Sequence, residues 1–280
     1  MAETFAGLDL AQPIVMGIIN VTPDSFSDGG EVFDPDQAVQ RGRDMVAGGA
    51  GILDVGGEST RPGAKPISID EEIRRVVPVI EALSDCGAVI SIDTRHPDVM
   101  VAAARAGAGI INDVTALTHD DRSVVAVGEL GLPVVLMHMQ GNPENMQTAP
   151  DYENAPIEVR DYLVNRVEVC LDAGIAREKI AVDPGIGFGK SLEHNLQILN
   201  RIELLGEIAG PVVLGVSRKS FIAKVCGEED PHKRVPGSLA AAVLARQQGV
   251  QIFRVHDVEE TVQALSIADA IAGVTIGENL

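Results

Sequence analysis

Tryptophan is absent from this 280-residue chain, and aromatic residues of all kinds make up only 3% of it. A core drawn from 45% hydrophobic residues must therefore be aliphatic. Basic residues are also scarce: 22 Lys and Arg stand against 41 Asp and Glu, a formal net charge of -19. A surface of that sign repels nucleic acid and anionic membrane, so neither is an expected partner. It also makes any basic cluster informative, because an anionic ligand needs a local positive pocket. The three cysteines, Cys86, Cys170 and Cys226, are widely spaced, odd in number and without a CxxC pair. Free thiols in a reducing compartment are the expected reading. The N-terminus lacks a basic region followed by an apolar run, and no apolar stretch is long enough to span a bilayer. These absences predict a cytoplasmic protein.

What is present is one unit repeated. Short runs rich in Val and Ile occur at 14–19, 51–55, 89–92, 109–111, 134–137, 180–182, 212–216 and 252–255. They lack polar alternation, as strands do when a parallel sheet is buried on both faces. Between them, helices are expected over 35–47, 68–83, 97–105, 120–129, 158–173, 192–205, 236–248 and 258–271. Asp34 before Pro35 and Ser68 three residues before Glu71 are helix-start signals. Glycine follows most of these helices, as it does at helix ends. Eight strand–helix units with no linker or low-complexity tract predict an α/β fold: a single (β/α)8 TIM barrel, one domain over 1–280.

In such a barrel the active site lies at the C-terminal ends of the strands. The eight runs end, in order, on Asn20; Asp54 with Glu58 and Arg61 beyond; Asp93 and Arg95; Asn112 and Asp113; His138; Asp183; Ser217, Arg218, Lys219 and Ser220; and Arg254 and His256. A single Asp after a strand is commonly a turn former, which suits Asp113 and Asp257. A polar end on all eight runs is better explained by a ligand site. Arg61, Lys219, Arg254 and His256 form a basic group on an acidic chain, suited to an anion such as phosphate. Asp93, Asn112 and Asp183 supply both acceptors and donors for a flat, nitrogen-rich ring.

The segment Gly185-Ile186-Gly187-Phe188-Gly189-Lys190-Ser191 ends like a nucleotide-binding loop, but Pro184 occupies the position of its first glycine. A nucleoside triphosphatase is therefore not expected, and no dinucleotide fingerprint is present. The six histidines show neither HxH nor HxxxH spacing, which argues against a structural metal. Mg²⁺ held mainly by substrate phosphate would leave little trace in a sequence.

The segments 20–30 (Asn-Val-Thr-Pro-Asp-Ser-Phe-Ser-Asp-Gly-Gly) and 54–63 (Asp-Val-Gly-Gly-Glu-Ser-Thr-Arg-Pro-Gly) closely resemble two signatures of the dihydropteroate synthases, a pterin-binding family. Further matches follow in family order at 91–94, 111–114, 136–138, 183–190, 217–220 and 254–257, so the resemblance spans nearly the whole chain. It implies a transferase of folate biosynthesis that condenses (7,8-dihydropterin-6-yl)methyl diphosphate with 4-aminobenzoate, with Mg²⁺ as cofactor. By the same resemblance, Asp93, Asn112, Val114, Met137, Asp183, Lys219 and Arg254 contact the pterin. Asn20, Arg61, Arg254 and His256 hold the pyrophosphate, with Asn20 near the metal. Phe26, Thr60, Pro62, Phe188, Lys219 and Ser220 meet 4-aminobenzoate, where sulfonamides also bind. Lys219, Asp28, Arg254 and His256 are the expected catalytic group, Phe26 and Asp28 lying on a first lid loop and Thr60 and Arg61 on a second. The family also implies a homodimer, compatible with apolar residues such as Leu239, Val243, Leu244 and Leu265 on the late helices. Two alternatives stand beside this reading: a methyltransferase acting on methyltetrahydrofolate, and a non-catalytic pterin-binding paralogue. The polar loop 141–156 matches no signature.

Overall fold

The structure is a computed structural model, and it describes residues 4–22, 35–59, 66–141 and 145–273. A short antiparallel hairpin, β1 (Thr4–Phe5) and β2 (Leu8–Asp9), precedes eight parallel strands. These are β3 (Ile14–Asn20), β4 (Ile52–Gly56), β5 (Val89–Asp93), β6 (Ile110–Asp113), β7 (Val134–Met137), β8 (Ile180–Asp183), β9 (Val213–Leu214) and β10 (Ile252–Val255). Their order, β8-β7-β6-β5-β4-β3-β10-β9, leaves one seam, between β8 and β9. A parallel bridge from Val182 to Val212 closes it, with the Val182 N–H donating to the Pro211 carbonyl at 3.1 Å.

The connecting helices are α1 (Pro35–Ala47), α2 (Ile69–Leu83), α3 (Pro97–Ala106), α4 (Ser123–Leu130), α5 (Ala155–Asp172), α6 (Leu192–Asn200), α7 (Ser220–Cys226), α8 (Val235–Gln247) and α9 (Val258–Ala272). The expected barrel is the observed fold. Two elements were not expected. Helix α7 is only seven residues long and ends at Gly227 in the left-handed region. The hairpin turns through Ala6 and Gly7, both at positive φ (51° and 80°), a geometry normally signalled by Asn-Gly or Asp-Gly. Strand β9, expected to span five residues, has two, because Val212 is spent on the seam and the chain turns away after Leu214.

Side-chain parity organises the barrel. Successive strand residues point to opposite faces, so i and i+2 share one. Ile14, Met16, Ile52, Ile110, Val135, Ala181, Val213 and Ile252 fill the lower interior as one apolar cluster. The alternate residues, including Val15, Leu53, Ile90, Ile111, Val182 and Phe253, pack outward in the larger cluster with the helices. Two residues further on, the inward positions become polar: Asp54, Ser91, Asn112, Asp183 and Arg254, with Asp93 above Ser91. The floor of the barrel is thus aliphatic and its mouth is charged.

Phe5, 1% exposed, joins the lower interior cluster from the hairpin and closes the floor. Phe5→Ala should therefore cost about 3–5 kcal/mol of stability, seen as a lower urea midpoint. An unchanged midpoint would show that the hairpin contributes nothing to closure.

Candidate active site

The mouth is built around Arg254. From β10 it reaches across β3, placing Nε 2.6 Å from Asp54 Oδ2 and Nη2 2.7 Å from Asp93 Oδ2. Asn112 Nδ2 donates to the same Asp54 oxygen at 3.0 Å. One guanidinium faces two buried carboxylates, so the group carries a surplus of negative charge. Burial, with Asp54 close by, pushes the Asp93 carboxyl up to about 7 in spite of Arg254. The opposite wall holds Asp183, whose Oδ1 accepts from the Gly185 N–H at 2.6 Å and whose carboxyl is raised by burial. Beside it, Lys219 Nζ donates to the Ile186 carbonyl at 2.7 Å and lies 4.3 Å from the centre of the Phe188 ring. Burial lowers this amine to about 8, assisted by Arg254 and opposed by Asp183.

These groups enclose a pocket lined by Asp93, Asn112, Val114, Met137, Asp183, Phe188, Lys219 and Arg254, among others. The structure thus brings all seven expected pterin contacts, and Phe188, to one cavity. Val114 and Met137 are its apolar surfaces, 6% and 5% exposed. Asn20 ends β3 at the mouth, and His256 follows β10, but neither lines this cavity. Ser220 is exposed at the start of α7. Phe26, Asp28, Thr60, Arg61 and Pro62 lie outside the described residues.

His256 enters the mouth as a hydrogen-bonding group rather than as a cation. Burial, then Arg254 and Arg218, depress its imidazole to about 3, so it is neutral near pH 7. Ser217 Oγ accepts from the His256 backbone N–H at 3.1 Å and lies 3.0 Å from its Nδ1. The hydroxyl can donate to Nδ1 or accept from it, so the ring is held in place in either tautomer. The residue therefore offers a hydrogen bond, and among the described residues lining the cavity the cations are Lys219 and Arg254. Asp113 faces outward, as parity requires, and its carboxylate accepts from Thr115 and the Leu117 N–H. Asp257 is an ion-pair partner for Arg218.

The loop after β8 shows where the lysine of its nucleotide-loop-like ending is used. Lys190 is 2% exposed, and its amine donates to the carbonyls of His138, Gly185 and Phe188 while lying 2.9 Å from His138 Nδ1. It faces inward as a tether for the loop that carries Phe188. A Cβ on Gly185 would sit 2.0 Å from the His138 carbonyl oxygen, and φ there is +64°, so glycine is required. The loop 141–156 also acquires a role. Gln147 donates to the Gly187 carbonyl at 2.6 Å and the Tyr152 hydroxyl to that of Gly189 at 2.8 Å, clamping the same loop. Sequence reading placed Asp54 on the polar rim without giving it a role, and did not single out Lys190, Gln147 or Tyr152 as site-building residues. Of these, Asp54 alone carries a signal, its position two residues beyond Ile52.

Comparison with known proteins agrees with this geometry. The family described as pterin binding enzyme matches residues 16–256. The dihydropteroate synthase of Escherichia coli K12 is 49% identical over 264 residues, covering 94% of this chain and 93% of that protein. The crystal structure of Yersinia pestis dihydropteroate synthase with a sulfonamide drug complex superposes with a TM-score of 0.91 at 47% identity, over 95% of this chain and 97% of that one. Xanthomonas albilineans dihydropteroate synthase with 4-aminobenzoic acid gives 0.90 at 47% identity, over 96% and 97%.

The state of Asp93 can be read from stability. Its folded value of about 7 lies above the ordinary 3.8, so the folded protein holds a proton that the unfolded chain releases. That contribution is complete below about pH 4 and is lost as pH rises through 7. The stability of the wild type relative to Asp93→Asn should fall across this window in denaturant titrations. A difference that grows with pH instead would show that Arg254 keeps Asp93 ionised throughout.

Proposed function

The chain belongs to the pterin-binding enzymes and, within them, to the dihydropteroate synthases, and we propose that the pocket described above is where it joins (7,8-dihydropterin-6-yl)methyl diphosphate to 4-aminobenzoate. The single observation that carries this assignment of the site is the convergence of Asp93, Asn112, Asp183 and Lys219, from four different strand ends, on one cavity. A pterin edge presents ring nitrogens, an amino group and a carbonyl. Carboxylates and an amide accept from its N–H groups, Lys219 donates, and Asp93, near half-protonated at neutral pH, does either. Val114 and Met137 supply apolar contact for the ring faces.

The reaction breaks the bond between the pterin methylene carbon and the bridging oxygen, and pyrophosphate leaves with the electron pair. A C–N bond then forms to the aromatic amine, which loses a proton. Positive charge develops on the pterin, and the surplus of carboxylate around it favours that charge. Arg254 and the His256 imidazole face the departing anion, with Asn20 and, from its place in sequence, Arg61. Asp28 on the first lid is suited to lie near the developing cation. The amine enters beside Phe188 and Lys219, with Phe26, Thr60, Pro62 and Ser220 completing the slot. Sulfonamides would occupy the same slot in this chain.

Among the described residues, the mouth holds no cluster of three His, Cys, Asp or Glu ligands. Its donor set is the Asn20 amide oxygen, which fits Mg²⁺ shared with pyrophosphate oxygens and water better than an ion caged by protein. When bound there, the ion supplies neutralisation of the leaving charge. No described helix is long and apolar enough to cross a membrane. The three cysteines are free, which supports a reducing, cytoplasmic setting. A groove between α8 and α9, lined by Leu239, Val243, Ala264, Ile267 and Ile271, supports self-association as a homodimer. Leu244 is exposed on α8, whereas Leu265 turns inward and is 1% exposed.

Purified protein given the dihydropterin diphosphate, 4-aminobenzoate and Mg²⁺ should release dihydropteroate and pyrophosphate in equal amounts. Lys219→Ala should lower kcat/KM for both substrates by about a hundredfold or more, equivalent to roughly 3 kcal/mol. Bound pterin without product would move the chain to the paralogue reading, and unchanged kinetics would remove Lys219 from the site. In sedimentation velocity, Ile267→Asp combined with Ile271→Asp should convert a dimer to monomer; a dimer that persists places the interface elsewhere.

A further inference from the structure

Behind the rim of the barrel, on the helix side of β4 and β5, three ligand-type side chains converge. Glu58 lies just beyond β4, Glu72 in the first turn of α2, and His96 caps α3. One ligand atom from each falls within 4.8 Å of the others. His96 Nε2 is 4.0 Å from Glu58 Oε2 and 3.9 Å from Glu72 Oε2. Glu72 is 0% exposed, and neither of its carboxylate oxygens has a hydrogen-bond partner of good geometry. An ionised carboxylate buried in that condition is costly unless something neutralises it.

The nearby cations are directed at other groups, although the buried Nε of Arg95 has no hydrogen-bond partner. Arg95 Nη2 sits on Glu58 at 3.1 Å, and Arg75 binds Glu71 and the Gly57 carbonyl. Their influence and that of the Thr94 hydroxyl favour ionised Glu72, but burial outweighs them and raises its carboxyl to about 7. The His96 ring is held edge-on against His119, with centroids 4.9 Å apart, and burial lowers its imidazole, which favours the neutral form that ligates.

We propose that Glu58, Glu72 and His96 form a second metal site, distinct from the Mg²⁺ position at the mouth, that takes a borderline divalent ion of the Zn²⁺ class. One imidazole nitrogen and two carboxylate oxygens are a usual donor set for such ions. Ligands at ordinary Zn²⁺ distances are separated by roughly 3.3 Å in a tetrahedron. The observed 3.9 and 4.0 Å separations therefore close by less than an ångström. Glu58 Oε1 also accepts from the Ile67 N–H at 3.3 Å. An ion here would brace the chain on both sides of the segment that carries Thr60, Arg61 and Pro62. The ligand positions 58, 72 and 96 are too dispersed to register as a spacing motif, which is why the histidine pattern argued against a structural metal.

The test is titration of the chelator-treated, full-length protein with Co²⁺ in the absence of pyrophosphate. One equivalent should bind with visible d–d absorption and no thiolate charge-transfer band, which separates this site from Cys86 and Cys226. Affinity should fall by about tenfold or more in Glu72→Gln, which preserves shape, and in His96→Ala, which lies near the surface. Zn²⁺ should raise the thermal midpoint of the wild type and leave that of both variants unmoved. Absence of stoichiometric binding, a thiolate band, or binding that survives both substitutions would each overturn the proposal and leave a proton as the group that neutralises Glu72.

Discussion

The contact of Arg254 with Asp54 and Asp93 is the interaction on which the site depends. It joins residues 200 and 161 positions apart, and so ties the last strand to the second and third barrel strands. Two carboxylates on the inner face of a barrel cannot be left there without a cation, because an uncompensated buried charge destabilises by several kcal/mol. Arginine suits the task because its fork reaches both acids at once and stays charged. The same contact creates the site's chemistry. Two acids around one base leave a negative surplus, and burial, with Asp54 adding to it, raises Asp93 toward neutrality.

The second organising element is the loop after β8. Its glycines accept backbone geometry that other residues resist, and such a loop would be mobile by default. Lys190 prevents this from within, through three carbonyls, while Gln147, Tyr152 and Asn195 hold it from outside. Burial drives the Lys190 amine well below its ordinary value, and the same burial beside Lys190 takes His138 down to about 3. Burial thus makes His138 a neutral hydrogen-bonding group and commits the Lys190 amine to loop carbonyls. On a chain of net charge -19, this leaves Lys219 and Arg254 as the positive charges of the described mouth.

Much of this was legible in the sequence because it follows from periodicity. Strands buried on both faces appear as Val- and Ile-rich runs, and the parity of Ile52 with Asp54, Ile110 with Asn112, and Ile252 with Arg254 fixes which polar residues enter the barrel. The same parity sends Asp113 outward. Partnership was not legible: nothing local to Arg254 names Asp54, and nothing in the 185–191 segment reveals that Lys190 turns inward. The hairpin was missed because Ala6 takes a left-handed conformation that its side chain does not advertise, and α7 because seven residues are too few for a helical period to show. For His256 residue type gives only the ordinary imidazole value, and burial sets the actual one.

The pocket groups are all oriented before a ligand arrives. Asn112 is held by Asp54, Asp93 by Arg254, Asp183 by the Gly185 N–H, and Lys219 by the Ile186 carbonyl. Each uses one donor or lone pair on the protein and retains others for the cavity. A heterocycle entering the pocket therefore meets fixed dipoles and need not reorganise them, which lowers the cost of binding and of stabilising charge that develops later. Orientation of this kind needs a second set of residues behind the first. The barrel supplies it from Asp54 beside Asn112, from Arg254 below Asp93, and from the backbone of the loop after β8 behind Asp183 and Lys219.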